Sequence, residues 1–184
     1  MRIPYAPESA TDSKYEAVYE RIRARRAPRP LIPLDRAMLH NPEIADGYNA
    51  LLGAIRTRSS FPQGLAELAI CRIAVLNRAT YEWTSHSPLA LKAGISRDSL
   101  EAVLYGNIHG GPLSEEEKLV LKYAEQSTKQ ISVDEDVVEE LKKRFSDQQV
   151  MELAITVASY NMVSRFLVAL DVGECNDKKM TMPE

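Results

Sequence analysis

Residues 64–94 read GLAELAICRIAVLNRATYEWTSHSPLALKAG, and the fold turns on how this stretch is parsed. From Gly64 to Asn77, Leu65, Leu68, Ala69, Ile70, Ile73, Ala74, Val75 and Leu76 make a helix that is apolar nearly all round, the pattern of a helix buried among helices. Glu67 interrupts the run. An ionised carboxylate in such surroundings is costly, so Glu67 must reach a partner, face a cavity or take up a proton. In the next segment Glu82 and His86 stand four residues apart and share a face if Thr80 to Ala93 is helical. His86 is the candidate partner for Glu67. Periodicity also allows a plainer arrangement, with Glu67 on a polar helix edge, Glu82 a solvated surface carboxylate and His86 a satisfied core or interface histidine.

Outward from this stretch, the punctuation is that of helices. Tyr15, Val18, Tyr19 and Ile22 stripe a helix from Asp12 or Ser13 to Arg26, and Pro28, Pro30 and Pro33 then impose a rigid extended connector. Asp35 is placed to cap a short helix, and Asn41-Pro42 opens another, striped by Ile44, Tyr48, Leu51, Leu52 and Ile55. Pro88 marks a possible new helical start after His86. Gly94 and Gly106 read as helix C-terminal caps around a short helix opened by Ser96. The loop NIHGGPL, with His109, reads as a tight connector carrying a surface histidine. Capping boxes at Ser114/Glu117, Ser132/Glu135 and Ser146/Gln149 open three more helices, the last running from Asp147 to about Leu170. ELAI occurs at Glu67 and again at Glu152, a faint internal echo. No alternating strand pattern is present, so the expectation is an all-α fold.

The chain has 184 residues, enough for one domain with a sizeable core, and a formal net charge of −3. Mixed charges speak against a nucleic-acid footprint; the basic run Arg21, Arg23, Arg25, Arg26 and Arg29 reads as a solvated helix end. No membrane span or signal-peptide core is expected, and two widely spaced cysteines, Cys71 and Cys175, fit a reducing compartment. The expected location is cytoplasmic. Three scattered histidines give no metal-ligand spacing, so neither a metal nor another cofactor is expected.

The pattern Glu67, Asn77, Tyr81-Glu82-Trp83, His86, Ala90 and Gly94 resembles the signature of the carboxymuconolactone decarboxylase family and the related AhpD-like alkylhydroperoxidases. Ser146 to Gln149, Glu152-Leu153 and Tyr160 to Phe166 are similar to that family's closing helix. The resemblance implies an AhpD-like helical bundle built as a single domain over residues 34–172. It would follow an N-terminal arm, helix and Pro-rich connector at 1–33; the polar end of the chain, NDKKMTMPE, reads as frayed, within a flexible tail at 173–184. It also implies a homo-oligomer, whether dimer, trimer or hexamer.

Two activities divide the family. The peroxidase branch uses Cys-x-x-Cys-x-x-x-His, and the two cysteine positions are Ala79 and Glu82 here, so a thiolate and its resolving thiol are both missing. Cys71, a lone cysteine in an apolar helix, reads as a core residue. What remains is a proton-transfer set suited to a cofactor-free lyase or isomerase acting on a small acidic, lactone or polyketide-like substrate. The expected roles are His86 as general acid or base, Glu67 as its orienting partner, and Glu82 as a second acid/base or as a charge that raises the His86 pKa. Tyr81, Trp83, Asn161 and Arg165 are the expected substrate-binding residues, with Arg165 available for a substrate carboxylate or for a salt bridge to Glu67 or Glu152. The alternative from another class is a catalytically silent oligomeric scaffold or binding protein.

Overall fold

The computed structural model describes residues 1–184. Its regular structure is helical throughout, and the chain packs as two compact units: Met1–Ser59 with Leu170–Glu174, and Ser60–Ala169 with Cys175–Glu184. In the first, a 3₁₀ turn at Ser13–Tyr15 leads into α1 (Glu16–Arg26), followed by α2 (Pro33–Met38) and α3 (Pro42–Thr57). Ala6, Val18, Tyr19, Ile22, Leu39 and Ala45 form its core. Two expectations change here. Asp35 is not the cap of α2 but lies inside its first turn, where its Oδ2 accepts the Ile32 N–H at 3.0 Å. The arginine run is not simply solvated: Arg26 grips buried Asp35 through two hydrogen bonds of 2.8 and 2.7 Å, and Arg21 holds Asp46 in the same forked way.

The second unit contains α4 (Gln63–Leu76), α5 (Thr80–Lys92), α6 (Arg97–Tyr105), α7 (Glu115–Gln130), α8 (Glu135–Arg144) and nearly all of α9 (Asp147–Leu170). Helix α4 is its centre, packing against α5, α6 and α7. That placement follows from its sequence: an unbroken block from Leu68 to Ala74 is buried on every side. Gly94, at φ +96°, and Gly106, at φ +82°, supply the left-handed turns that stop α5 and α6.

Two local readings are corrected. Pro88 does not start a new helix. It lies inside α5, and the carbonyl of Thr84 that its ring leaves without an N–H partner belongs to an exposed residue. The Ser132/Glu135 capping box is replaced by Asp134 at the N-cap of α8, its carboxylate and N–H held by the side chain of Gln126. The Ser114/Glu117 and Ser146/Gln149 boxes are present with reciprocal bonds.

The end of the chain differs most from expectation. Instead of fraying, residues 178–183 lie along α5 and reach the start of α6: Thr80 Oγ1 donates to the Lys178 carbonyl at 3.0 Å, Trp83 Nε1 to the Thr181 carbonyl at 2.7 Å, and Arg97 to the Pro183 carbonyl at 3.0 Å. Met180 and Met182 pack on the core cluster that holds Trp83. Composition marked the segment as polar, but its two methionines and its main-chain carbonyls are what dock.

Helix α9 also departs from the sequence reading, because by length and composition alone it is apolar enough to cross a membrane. Half of its most apolar window is buried inside the protein. Its buried faces carry Glu152, Thr156, Ser159, Asn161 and Ser164, all in hydrogen bonds or close packing with the fold, as in the core helix of a helical bundle.

Candidate active site

The packing of α4 on α5 brings Glu67 and His86 together. Nδ1 of His86 lies 2.6 Å from Oε2 of Glu67, and the two side chains are 4% and 6% exposed as residues. Both sit where helical geometry demands: Glu67 one turn into the buried face of α4, His86 two turns into α5. The imidazole edge meets the ring of Tyr160 from α9, centroids 4.9 Å apart and planes at 84°. A short charge-assisted contact in a buried setting fixes the ring's orientation and assigns Nδ1 to Glu67.

Glu82 is not a surface carboxylate. It is 1% exposed, and neither carboxyl oxygen has a hydrogen-bond partner. Burial raises its pKa well above the usual carboxylate range, because the anion would lose its hydration with nothing to replace it. Such surroundings favour its neutral form over the anion. A buried polar group left without its hydrogen bond costs about 1–3 kcal/mol, so the fold carries this residue at a cost.

Cys71 is completely buried, and its thiol is pushed well up, first by burial and then by the carboxyls of Glu67 and Glu82. A thiol held in that state is a poor nucleophile. It stands one turn beyond Glu67 on α4, in the same core cluster as Ala79 and Trp83.

The remaining sequence candidates are placed differently. Trp83 is a core residue, bonded to the tail carbonyl of Thr181, and Tyr81 is half-buried. Asn161 is saturated: its Oδ1 accepts from Asn77 at 3.1 Å and from Arg165 at 2.6 Å, and its Nδ2 donates to Thr128 Oγ1 at 2.9 Å and to the Val157 carbonyl at 3.1 Å. An amide side chain has no further capacity once both lone pairs and both protons are engaged. Arg165 is exposed and bonds back to the Asn161 carbonyl and Oδ1 on its own helix. Glu152, the echo of Glu67, anchors the entry to α4 instead, accepting from the Ser60 N–H, the Ser60 hydroxyl and the Phe61 N–H at 2.8–2.9 Å.

Sequence reasoning passed over Arg72. Buried in the middle of α4, it bonds Glu125 at 2.9 Å and the Val103 carbonyl at 3.4 Å, tying α4 to α7 and α6. The signal was a cation in an otherwise apolar buried run, the same signal that singled out Glu67. The surface cavities of about 490 and 260 Å³ lie in the first unit and are lined by none of the candidate residues.

The fold defines a class, an all-α AhpD-like bundle. Residues 42–109 match the sequence model of the carboxymuconolactone decarboxylase family, a stretch that includes Glu67, Glu82 and His86. Solved structures agree on the fold. The chain superposes on a peroxidase-related protein from Ralstonia eutropha JMP134, described as an alkylhydroperoxidase AhpD core, with a TM-score of 0.77 at 14% identity, covering 93% of this chain and 90% of that one. For a peroxidase-related protein from Silicibacter sp. TM1040 the TM-score is 0.73 at 18% identity, with 95% of each chain covered. The debrominase Bmp8, solved with 2,3,4-tribromopyrrole, gives 0.68 at 21% identity, covering 94% of this chain and 91% of that one. No curated protein matches the sequence.

Proposed function

We propose that the protein is a cofactor-free lyase or isomerase of the carboxymuconolactone decarboxylase type, in which His86 moves a proton and Glu67 holds and balances it. The observation that carries this reading is the 2.6 Å contact between His86 Nδ1 and Glu67 Oε2 in a buried setting. With Nδ1 assigned to Glu67, a proton exchanged with a substrate moves through Nε2, and the carboxylate stabilises the imidazolium formed on the way. Decarboxylation of an unsaturated lactone acid needs this pairing, because the departing carbon dioxide leaves an enolate-like anion that must be stabilised and then protonated on carbon. The replacement of the redox cysteines by Ala79 and Glu82, and the burial of Cys71, support proton transfer over thiol chemistry.

The substrate class is a small acidic lactone or a polyketide-like acid. Assembly into a homo-oligomer is part of the proposal, supported by Met151, Ile155 and Met162, exposed along one side of α9. A cytoplasmic location is supported by the two free cysteines. The test is turnover of a panel of carboxylated butenolides and short β-keto acids, followed as carbon dioxide release, by the wild type and by His86→Ala.

A further inference from the structure

The turn that joins α4 to α5 gathers cations that no acid balances. Asn77, at the end of α4, donates to Asn161 Oδ1 at 3.1 Å, and Arg165 of α9 reaches the same oxygen at 2.6 Å. From the tail, the Asn176 amide donates to the Val168 carbonyl of α9 at 2.8 Å, and the Lys178 carbonyl accepts from Thr80 at 3.0 Å. These bonds draw Arg78, Arg165, Lys178 and Lys179 towards the start of α5, and all four residues are exposed. None of them pairs with a carboxylate, not even with Asp177 beside Lys178. Elsewhere in this unit cations meet acids: Arg97 meets Glu101, Lys122 meets Asp136, and Lys142 and Lys143 meet Glu139 and Glu140. On α7, whose Thr128 joins the Asn161 network, Glu125 is already held by Arg72 and Lys129. The net charge of the chain is −3, so an excess of basic residues does not account for the patch. Arg78 also sits at φ +56°, a left-handed backbone that glycine adopts without strain. The negative end of α4 explains a cation there, but not the three supplied by α9 and the tail.

We propose that Arg78, Arg165, Lys178 and Lys179 form an anion site that takes the diphosphate group of a small molecule. The site is separate from the Glu67–His86 pair and stands whether or not that pair moves a proton. A guanidinium presents its N–H groups as a planar fork that matches two oxygens of one phosphate. Arg165 bonds Asn161 through Nη1, which leaves Nε and Nη2 for a ligand, and the side chain of Arg78 is uncommitted. The lysines add compact charges from the tail, so a second phosphate finds its own partners there. The positive end of α5 lies in the same place and acts in the same sense. The cations come from a turn, a helix and the tail around one point instead of lining a long face. That arrangement fits a compact ligand better than an acidic protein surface.

The test is calorimetric titration of the full-length protein with inorganic pyrophosphate and, separately, with ADP, at low ionic strength and without divalent cations. Saturable binding at one equivalent per chain is expected, weakened by added salt. The double variant Arg78→Ala/Arg165→Ala should weaken it by roughly tenfold or more, whereas Lys142→Ala/Lys143→Ala, which removes the same charge from α8, should leave it within about twofold. Equal affinity for the two probes assigns the site to the diphosphate alone, and tighter binding of ADP assigns it to a diphosphate carried on a larger molecule; both support the proposal. It is overturned if neither probe binds at millimolar concentration, if the arginine variant binds as tightly as the wild type, or if the α8 variant loses as much. Should the arginine variant fail to fold, Arg78→Gly is titrated instead, since glycine relieves the left-handed backbone: weakened binding supports the site and unchanged binding overturns it. Turnover of the butenolide acids is not read, so failure here leaves the Glu67–His86 proposal to its own test.

Discussion

His86 and Glu67, nineteen residues apart in sequence, meet across the α4–α5 contact at 2.6 Å, with both side chains withdrawn from solvent. A pair held this way loses more than one hydrogen bond when cut, because the remaining partner stays buried without its complement. Glu67→Gln keeps the shape but removes the charge that balances an imidazolium. Its kcat should fall by roughly 10–100-fold, less than for His86→Ala, with KM little changed, as steady-state kinetics on the butenolide acids would show.

Glu82 makes stability depend on pH in a defined direction. Burial raises its pKa in the folded state above the usual 4.5. Below that value folded and unfolded chains both hold the proton and no penalty exists. As pH rises, the unfolded chain releases the proton while the folded one retains it, so this group's contribution falls by about 1.4 kcal/mol per pH unit until Glu82 ionises in the folded state too. Urea denaturation between about pH 5 and 8 should show Glu82→Gln gaining stability relative to the wild type as pH rises. A constant difference across that range would contradict the neutral-acid assignment.

Much of this was legible in the sequence, for reasons that differ by residue. Gly94, Gly106, Ser114 with Glu117 and Ser146 with Gln149 mark helix ends through bonds made within four residues, so local sequence suffices. Glu67 stood out because a lone acid in an apolar helix demands a partner. Glu82 was read two ways because i, i+4 spacing places it on the face of His86 but does not say what covers that face. The saturation of Asn161 depends on Asn77, Thr128, Val157 and Arg165, and only tertiary packing assembles those from three helices. The docking of residues 178–183 on α5 is likewise a contact across nearly 100 positions, invisible to periodicity.

That docking is testable through the single tryptophan. Removing residues 175–184 deletes the acceptor of the Trp83 indole N–H and uncovers the apolar surface under Met180 and Met182. The truncated chain should show red-shifted Trp83 emission and a stability loss of about 2–4 kcal/mol, from one buried hydrogen bond and two partly buried methionines. Unchanged emission would show that the segment does not cover α5.

Asn161 should behave as a structural residue. Asn161→Ala removes one hydrogen bond from the hydroxyl of Thr128 and one from the amide of Asn77, which keeps its bond to Ser164 Oγ, and a loss of about 1–3 kcal/mol in denaturation is expected, with KM for the butenolide acids unchanged. A raised KM at unchanged stability would return Asn161 to the substrate.

The two thiols should differ in reactivity. Cys71 is sealed in the core with its pKa pushed up, whereas Cys175 is partly exposed with the Lys178 ammonium 3.9 Å from its sulfur. Titration with a coloured disulfide reagent should modify Cys175 in the native protein and both residues after denaturation. Rapid native reaction of Cys71, or loss of hydroperoxide on incubation with the wild type but not with Cys71→Ala, would reopen thiol chemistry.

The central claim is tested most directly by carbon dioxide release from carboxylated butenolides and short β-keto acids, comparing wild type with His86→Ala after both are shown to be folded. The account predicts turnover by the wild type without added cofactor and a loss of roughly 10²–10⁴-fold in kcat/KM on removing the imidazole. Release at an equal rate by His86→Ala, or no turnover of any member of the panel by the wild type, would contradict it.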